Sequence, residues 1–427
     1  MSYLNEQIDT VNGLTLHTIP EAKFKTNTLV LKILAPLKKE DVTLRALLPY
    51  VLQRGTTSFP TSTALRKHLD DLYGATLHVD LSKKGENHII SFRMEIANEK
   101  FLSDQTPLLE KAIKLLSEII LSPVTNGDEF SEEVVTQEKR TLKQRIQSVY
   151  DDKMRYSNLR LVQEMCKNEP YALHVNGEID EVDTITHSSL YSYYKKALSE
   201  DKIDLYVVGD VTGQTVQKYV NNYFSFTDNS FKSSESSSTT IQVKEAKEVI
   251  EEQDVKQGKL NVGYRTNTTY KDSEYYALQV FNGIFGGFSH SKLFINVREK
   301  ASLAYYAASR VESHKGLLMV MSGIEEQNFD QAVTIIREQM EAMKSGDFTD
   351  QELQQTKAVI RNQLLETIDT SYGLVEVLYH NVIANIQRPF DDYLQGIEEV
   401  TPEDVKKVAG SIDLDTIYFL KGKGEKA

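Results

Sequence analysis

Nine histidines and one cysteine are the side chains of this 427-residue sequence best suited to bind a transition metal. No two of the histidines lie three to five residues apart, so the chain lacks the spacing that places two imidazoles on one face of a helix. The single cysteine, Cys166, excludes an intramolecular disulfide and a thiolate zinc cluster. The pattern favours histidines scattered over core and surface, and it leaves open only a metal site assembled from distant parts of the chain.

The composition limits the class of partner. Acidic residues number 62 and basic residues 49, which gives a net charge of −13, so a broad basic surface for nucleic acid or anionic lipid is not expected. No stretch approaches the roughly 20 apolar residues of a membrane-spanning helix, and the N-terminal residues lack the features of a signal peptide. We therefore expect a cytoplasmic protein that binds neither nucleic acid nor membrane.

The elements that would position any site fall into two similar halves. A segment rich in serine and threonine, 225–245, is typical of an exposed linker. It separates residues 1–224 from residues 246–427. Each half opens with a segment of alternating apolar residues that predicts a strand, Thr28–Ala35 in the first half and Lys259–Arg265 in the second.

Both halves continue in the same order. A helix follows the first strand, predicted at Thr43–Gln53 and Ser273–Phe285, and then come a short helix and a strand that ends in a Lys-Gly turn. A second strand, two long amphipathic helices, a helix led by threonine and a closing strand complete each copy. A Gly-Asp pair is predicted to begin the second long helix of each half. This shared order predicts an α+β fold made of two copies of one unit.

Two segments carry a resemblance to a known family. GIFGGFSHSKLFINVREKASLAYY (283–306) and the Arg54-Gly55-Thr56 run are similar to signatures of the pitrilysin/insulinase superfamily of metallopeptidases, which includes the mitochondrial processing peptidase type. LQRGTTSFPTSTALRKHLDDLYGA (52–75) resembles bacterial members that lack zinc ligands, a subgroup named for association with elongation factor P modification. The resemblance implies two homologous α/β-sandwich halves of the LuxS/metallopeptidase-like type, each a mainly antiparallel sheet packed against helices.

In active members an H-x-x-E-H motif on the first helix of the fold binds zinc and supplies the general base, and a downstream glutamate completes the site. The corresponding positions here are Ala46, Pro49 and Tyr50, and Thr136 stands at the position of the downstream glutamate. Alanine offers no ligand, proline offers no base, and a phenol is a poor zinc ligand at neutral pH. The resemblance therefore implies a degenerate zinc site in the first half and no metal or other cofactor in this chain.

An Arg and a Tyr seven residues apart in the second half help active members bind the substrate peptide, and Arg298 and Tyr305 match that spacing. A guanidinium can clamp a peptide carbonyl or carboxylate, and a phenol can donate to the oxyanion at the scissile carbonyl. The purely structural alternative is a salt-bridged arginine and a half-buried strand tyrosine.

Some members of this family work as heterodimers, in which one subunit brings the zinc motif and the other the Arg/Tyr pair. The resemblance thus implies a non-catalytic subunit that pairs with a homologous, zinc-bearing subunit and binds a peptide substrate. Two alternatives stay open. One is a peptide-binding or scaffold protein, for instance a homodimer, with no part in catalysis. The other is an independent enzyme with a displaced active site.

Overall fold

Two β-sheets form the framework of the computed structural model, which describes residues 3–104, 106–226, 243 and 245–423. The strands of the first sheet are β1 (Gln7–Val11), β2 (Leu14–Pro20), β3 (Thr26–Pro36), β4 (Thr76–Lys84), β5 (Asn87–Ala97) and β6 (Lys202–Gly209). They lie in the order β1-β2-β6-β3-β5-β4. Neighbouring strands are antiparallel except β2 and β6, which are parallel. Strand β4 therefore forms one edge of this sheet.

The second sheet repeats this plan with five strands. They are β7 (Lys247–Gln253), β8 (Gly258–Arg265), β9 (Ala304–Glu312), β10 (Leu317–Ile324) and β11 (Asp413–Gly422). Their order is β7-β11-β8-β10-β9, and the pair β7 and β11 is parallel while the others are antiparallel. Strand β9 is the counterpart of β4, and it also forms an edge.

Helices pack on both sheets. Those of the first half are α1 (Lys39–Leu52), α2 (Ser62–Asp71), α3 (Leu108–Leu121), α4 (Glu132–Asp151), α5 (Lys153–Met165), α6 (Ile179–Val182), α7 (His187–Glu200) and α8 (Gly213–Tyr223). Those of the second half are α9 (Tyr275–Asn282), α10 (Phe329–Ser345), α11 (Asp350–Ile368), α12 (Ser371–Ala384), α13 (Phe390–Glu399) and α14 (Pro402–Gly410). Short 3₁₀ turns occupy Glu99–Phe101, Pro170–Ala172 and Glu326–Asn328, and π-helical turns occupy Gly283–Gly287 and Phe294–Lys300. None of these described helices is both long and apolar enough to cross a membrane.

The structure confirms the α+β prediction and corrects some of its details. The threonine-led helices begin at capping boxes, in which Thr186 pairs with Ser189 and Thr401 with Asp404. The Gly-Asp pairs do not begin helices. Gly346 instead ends α10 in a left-handed conformation with φ of 82°, and the next long helix, α11, starts at Asp350. Most of the predicted linker, residues 227–242 and 244, lies outside the described residues.

The two halves exchange helices. On one side, α12 packs on the first sheet, where Leu374, Val375 and Tyr379 contact a patch that includes Val30 and Tyr206. On the other side, α5 packs on the second sheet, and its side chains join a buried cluster with strands β10 and β11. One face of each sheet is therefore covered by a helix from the opposite half, which ties the halves together through apolar burial.

The two Lys-Gly turns meet where the halves join. The backbone N–H of Gly85 donates to the Glu312 carboxylate at 3.1 Å, and Lys315 forms an ion pair with Glu86 at 2.5 Å. Gly85 has a φ of +55°, and a Cβ built on it would lie 2.9 Å from the carbonyl oxygen of His314. The turn of one half therefore depends on a glycine for its approach to the turn of the other.

We expect Gly85→Ala to lower the free energy of unfolding by at least about 2 kcal/mol, because left-handed strain and a steric clash act together. Gly74→Ala is the matched control. Gly74 has a φ of +72°, but its Cβ would meet nothing within 4 Å, so only the strain of about 1 kcal/mol applies. Urea denaturation of both variants measures the difference, and equal costs would show that the contact between the turns is not tight.

Candidate functional site

Helix α1 carries three of the four degenerate zinc positions. Ala46 is fully buried in the core of the first half and presents only a methyl group. Pro49 is buried in the last turn of the helix, where its missing N–H leaves the carbonyl of Arg45 without its usual helical donor. Neither residue can donate an electron pair to a metal from its side chain.

Tyr50, the third position, is half-buried and is covered by a cation. The guanidinium carbon of Arg145, from α4, lies 3.3 Å from the centroid of the Tyr50 ring. Burial raises the pKa of the Tyr50 phenol and outweighs the opposing effect of Arg145, so the phenol is neutral at physiological pH. A neutral phenol beside a fixed positive charge disfavours a second cation at this place.

The fourth position, Thr136, is exposed on α4. The acidic residue that α4 turns toward the end of α1 is Glu138, which is 1% exposed. Its carboxylate accepts a hydrogen bond from Nε of Arg54 at 2.5 Å. Glu138, the glutamate closest in sequence to Thr136, is therefore already bound to Arg54, which follows α1.

The residues at these four positions do not fit a zinc ion. Among residues 3–104, 106–226, 243 and 245–423, no group of three or more His, Cys, Asp or Glu side chains is arranged to hold a metal. The structure does bring two distant histidines together, with Nε2 of His314 and Nδ1 of His380 2.7 Å apart. Burial lowers the pKa of His314 to about 3, and the pair lies beside Tyr270 within the protein.

Arg298 and Tyr305 lie in the open. Tyr305 is on the edge strand β9 and is 72% exposed, and Arg298 is exposed on the π-helical turn that precedes this strand. The Arg298 guanidinium carbon lies 4.5 Å from the centroid of the Phe294 ring. Among the described residues, neither side chain has an ion-pair or hydrogen-bond partner. The arrangement is therefore neither a salt-bridged arginine nor a half-buried tyrosine.

A tight contact holds the start of this region against β9. Gly286, in the first π-helical turn, would place a Cβ 2.5 Å from Oγ of Ser309 on β9. Ser309 in turn donates to the Asn282 side-chain oxygen at 2.7 Å. Because the glycine allows this approach, the first π-helical turn is held against the strand that carries Tyr305.

Two residues of the degenerate site were not found by sequence reasoning. Glu138 and Arg145 are seven residues apart on α4, so they lie about two turns apart on the face toward α1. That spacing is the signal that could have identified them, but it is common in amphipathic helices. Cys166, by contrast, is buried away from this site, and burial raises the pKa of its thiol to about 12.

Comparisons with known proteins place the chain among metallopeptidase homologues. A family profile described as "Peptidase M16 inactive domain" matches residues 184–360. The chain is 62% identical over 422 residues to the "Probable inactive metalloprotease YmfF" of Bacillus subtilis (strain 168), with 99% of each chain covered. It is 21% identical over 325 residues to "Mitochondrial-processing peptidase subunit beta" of Saccharomyces cerevisiae, which covers 72% of this chain and 68% of the yeast subunit.

Solved structures share the fold of this chain. The crystal structure of a conserved protein from Enterococcus faecalis V583 superposes with a TM-score of 0.90 at 33% identity, covering 99% of this chain and 100% of that one. A protease from Helicobacter pylori shares the fold with a TM-score of 0.79 at 17% identity, covering 98% of this chain and 100% of that one. The chain thus belongs to the M16 family of metallopeptidases, as a member in which the zinc-binding motif is absent.

Proposed function

We propose that this chain is the non-catalytic subunit of a heterodimeric zinc metallopeptidase of the cytoplasm. The zinc and the general base come from a homologous subunit with an intact H-x-x-E-H motif. This chain contributes Arg298 and Tyr305 to the binding of the peptide substrate. Residues 1–224 form the half with the degenerate zinc helix, residues 225–245 link the halves, and residues 246–427 form the half with the Arg/Tyr pair.

The observation that carries the proposal is the state of Arg298 and Tyr305. A tyrosine that is 72% exposed on an edge strand contributes little to a core. An exposed guanidinium without an acidic partner among the described residues contributes little to stability. Two such side chains, on a helical turn and on the strand that follows it, are instead suited to contact a ligand.

The degenerate zinc site supports the same proposal from the other half. Its four positions offer no good zinc ligand, and Arg145 already places a positive charge on Tyr50. No hydrolytic step is therefore assigned to this chain alone. The names of two relatives agree with this division of labour, since one is a probable inactive metalloprotease and another is one subunit of a processing peptidase.

Reconstitution tests the proposal. The full chain, a homologue with an intact H-x-x-E-H motif, and the mixture of both are assayed for cleavage of an unfolded, fluorescence-quenched polypeptide. We expect the mixture to cleave at least about 10²-fold faster than either protein alone, because the acid–base and electrostatic groups come from different subunits. Elemental analysis of the separate proteins is expected to find zinc in the homologue.

Three results would contradict the proposal. The first is a homologue that cleaves as fast alone as in the mixture. The second is near-stoichiometric zinc in this chain when it is purified by itself, which would favour an independent enzyme. The third is a stable homodimer that binds peptide but never the homologue, which would favour the peptide-binding or scaffold protein.

A further inference from the structure

Strand β7 is the outer strand of the second sheet, and no strand lies beyond it in the described chain. Its counterpart in the first half is β2, because each of these two strands runs parallel to the closing strand of its half, β11 or β6. The outer edge of β2 is covered by β1, which pairs with it in antiparallel register from Gln7 to Val11. The repeat therefore leaves open at β7 the edge that β1 covers in the first half.

The exposure of the two strands agrees with this difference. Five of the seven residues of β2 are buried, and none of the seven residues of β7 is. Ile250, near the middle of β7, is 51% exposed. The backbone of Lys247–Glu252 has no hydrogen-bond partner outside β11 among the residues that the structure describes. An outer strand with free N–H and C=O groups and an exposed isoleucine is suited to pair with a further strand.

A shallow groove of about 490 Å³ lies beside this strand. It is lined by three consecutive residues of β7, Val249–Glu251, and by side chains of α4 and α5. Because consecutive side chains of a strand point to opposite faces, a groove that touches all three runs along the edge of the strand. Tyr150 and Tyr156 form an aromatic wall of the groove. A strand added to β7 would therefore gain apolar contacts as well as backbone hydrogen bonds.

Charge indicates which sequence fits this edge. Glu248, Ile250 and Glu252 alternate along β7, so their side chains lie on one face, and all three are exposed. Glu248 has no ion-pair partner among the described residues, and Glu252 shares Lys421 with Glu326. This face therefore carries excess negative charge on both sides of an apolar side chain.

A second copy of β7 does not fit the same edge. In an antiparallel pair centred on Ile250, Glu248 of each copy would lie opposite Glu252 of the other. Like charges directly opposite one another are destabilising, whereas opposite charges at such positions are favourable. A strand with a basic residue on each side of an apolar one meets both requirements.

We propose that β7 is a docking edge for an extended segment of a partner protein, in which basic residues flank an apolar residue at alternate positions. The segment adds an antiparallel strand where β1 lies in the first half. Its basic side chains lie opposite Glu248 and Glu252, and its apolar side chain lies opposite Ile250. Strands β7 and β9 are opposite edges of the sheet, so this docking leaves Tyr305 free. The inference therefore goes beyond the proposed function and does not depend on it.

Peptide binding to the purified full chain tests this proposal. The probe is the fluorescein-labelled peptide Thr-Lys-Thr-Val-Thr-Lys-Thr, and the comparison peptide has glutamate in place of both lysines. Fluorescence anisotropy at low salt is expected to show that the basic peptide binds at least about tenfold more tightly. Amide hydrogen exchange is expected to slow in β7 and to stay unchanged in β9, because an added strand protects the N–H groups of the edge that it covers.

Variants locate the charge preference. Glu248→Lys is expected to weaken binding of the basic peptide about tenfold and to strengthen binding of the acidic one. Glu338→Lys makes the same charge change at an exposed position of α10 and is expected to alter neither. Thermal unfolding checks that both variants are folded.

A modified peptide tests the backbone contact without any change to the protein. N-methylation of alternate residues is expected to abolish binding for one set and to spare it for the other, because only one set of N–H groups faces β7. Equal binding by both methylated peptides would show that the peptide does not pair with the strand.

The proposal is overturned if the basic peptide binds no more tightly than the acidic one, including the case in which neither binds at about 1 mM. It is also overturned if exchange in β7 does not slow, or if Glu338→Lys weakens binding as much as Glu248→Lys does. A dimer of the chain that protects β7 and is strengthened by Glu248→Lys would place a second copy on this edge instead. Reconstituted cleavage depends on the opposite edge, so failure of either experiment leaves the other unaffected.

Discussion

Tyr305→Phe is expected to lower kcat of the assembled peptidase by about 10²–10³-fold, which is the usual effect of removing one oxyanion donor. The variant keeps the aromatic ring and loses only the phenolic O–H. Because the side chain is 72% exposed, the change should not disturb packing within this chain. A role confined to the transition state predicts that kcat falls while KM changes little.

Arg298→Ala is expected to raise KM and to lower kcat/KM by about 10²-fold, because a guanidinium clamp holds the peptide in the ground state as well as in the transition state. Arg298→Lys should recover only part of the loss, since an ammonium cannot make the two parallel hydrogen bonds of a guanidinium. The separation into a kcat effect for Tyr305 and a KM effect for Arg298 distinguishes the two roles. Steady-state kinetics with a quenched-fluorescence peptide measures both.

Lys300→Ala is the matched control for these variants. Lys300 is exposed on the same π-helical turn as Arg298, and its ammonium contacts only the Asn296 side chain at 3.3 Å among the described residues. We expect cleavage by this variant to stay within about twofold of the unmodified complex. Gel filtration should show normal assembly for all variants. Unchanged cleavage by Arg298→Ala and Tyr305→Phe would remove the pair from the substrate site.

Much of the fold could be predicted from the sequence because its signals are local. Apolar periodicity located the central strands, β3 and β8 among them, and the Thr401-Pro402 pair located the start of α14. The order of elements then revealed the repeat. The Gly346-Asp347 pair misled because the glycine that ends α10 and the start of α11 are only a few residues apart in the sequence, and the positive φ of the glycine decides between the two roles.

The exchange of helices between the halves could not be predicted in this way. Helix α12 is apolar on much of its surface, but nothing in its sequence states that it packs on strands of the first half, β3 and β6 among them. The same is true of Glu376, whose partners Lys32 and Lys84 lie in the first half. Contacts of this kind depend on the packing of whole layers, which single-sequence patterns do not encode.

The candidate site, like the fold, could be predicted only in part from the sequence. The loss of the zinc ligands could be read from the residue types at Ala46, Pro49, Tyr50 and Thr136, because alanine and proline side chains have no donor atom and neutral hydroxyl groups are poor zinc ligands. The exposure of Arg298 and Tyr305 could be determined only from the structure. The place of Arg145 also required the structure, since only three-dimensional packing shows that a helical arginine stacks on Tyr50 and lacks an acidic partner.

Glu376→Ala is expected to lower the free energy of unfolding by about 3 kcal/mol, because it leaves a buried lysine without its counter-ion. The side chain of Lys32 is only 2% exposed, and its ammonium lies 2.5 Å from the Glu376 carboxylate, which also binds Lys84 at 2.9 Å. Burial lowers the pKa of Lys32 even in the presence of Glu376, so the charged lysine already carries a desolvation cost that the carboxylate offsets.

The dependence on pH follows from the same group. Burial alone would raise the pKa of Glu376, but Lys32 and Lys84 outweigh it and lower the pKa to about 2. A carboxylate with a lowered pKa in the folded state stabilises the protein above the ordinary value of about 4.3. That stability is lost as the pH falls from about 4.3 toward 2, and Glu376→Gln should flatten this part of the stability curve.

Asp369→Ala provides the comparison that isolates burial. Asp369 pairs with Lys23 at 3.0 Å and also joins the two halves, but its side chain is 73% exposed and that of Lys23 is 41% exposed. We expect this variant to cost less than about 0.5 kcal/mol, because solvent screens an exposed pair. Urea denaturation at neutral pH measures both variants. If Glu376→Ala costs no more than Asp369→Ala, the halves are held by the exchanged apolar helices alone, and the buried charges at their junction contribute nothing to stability.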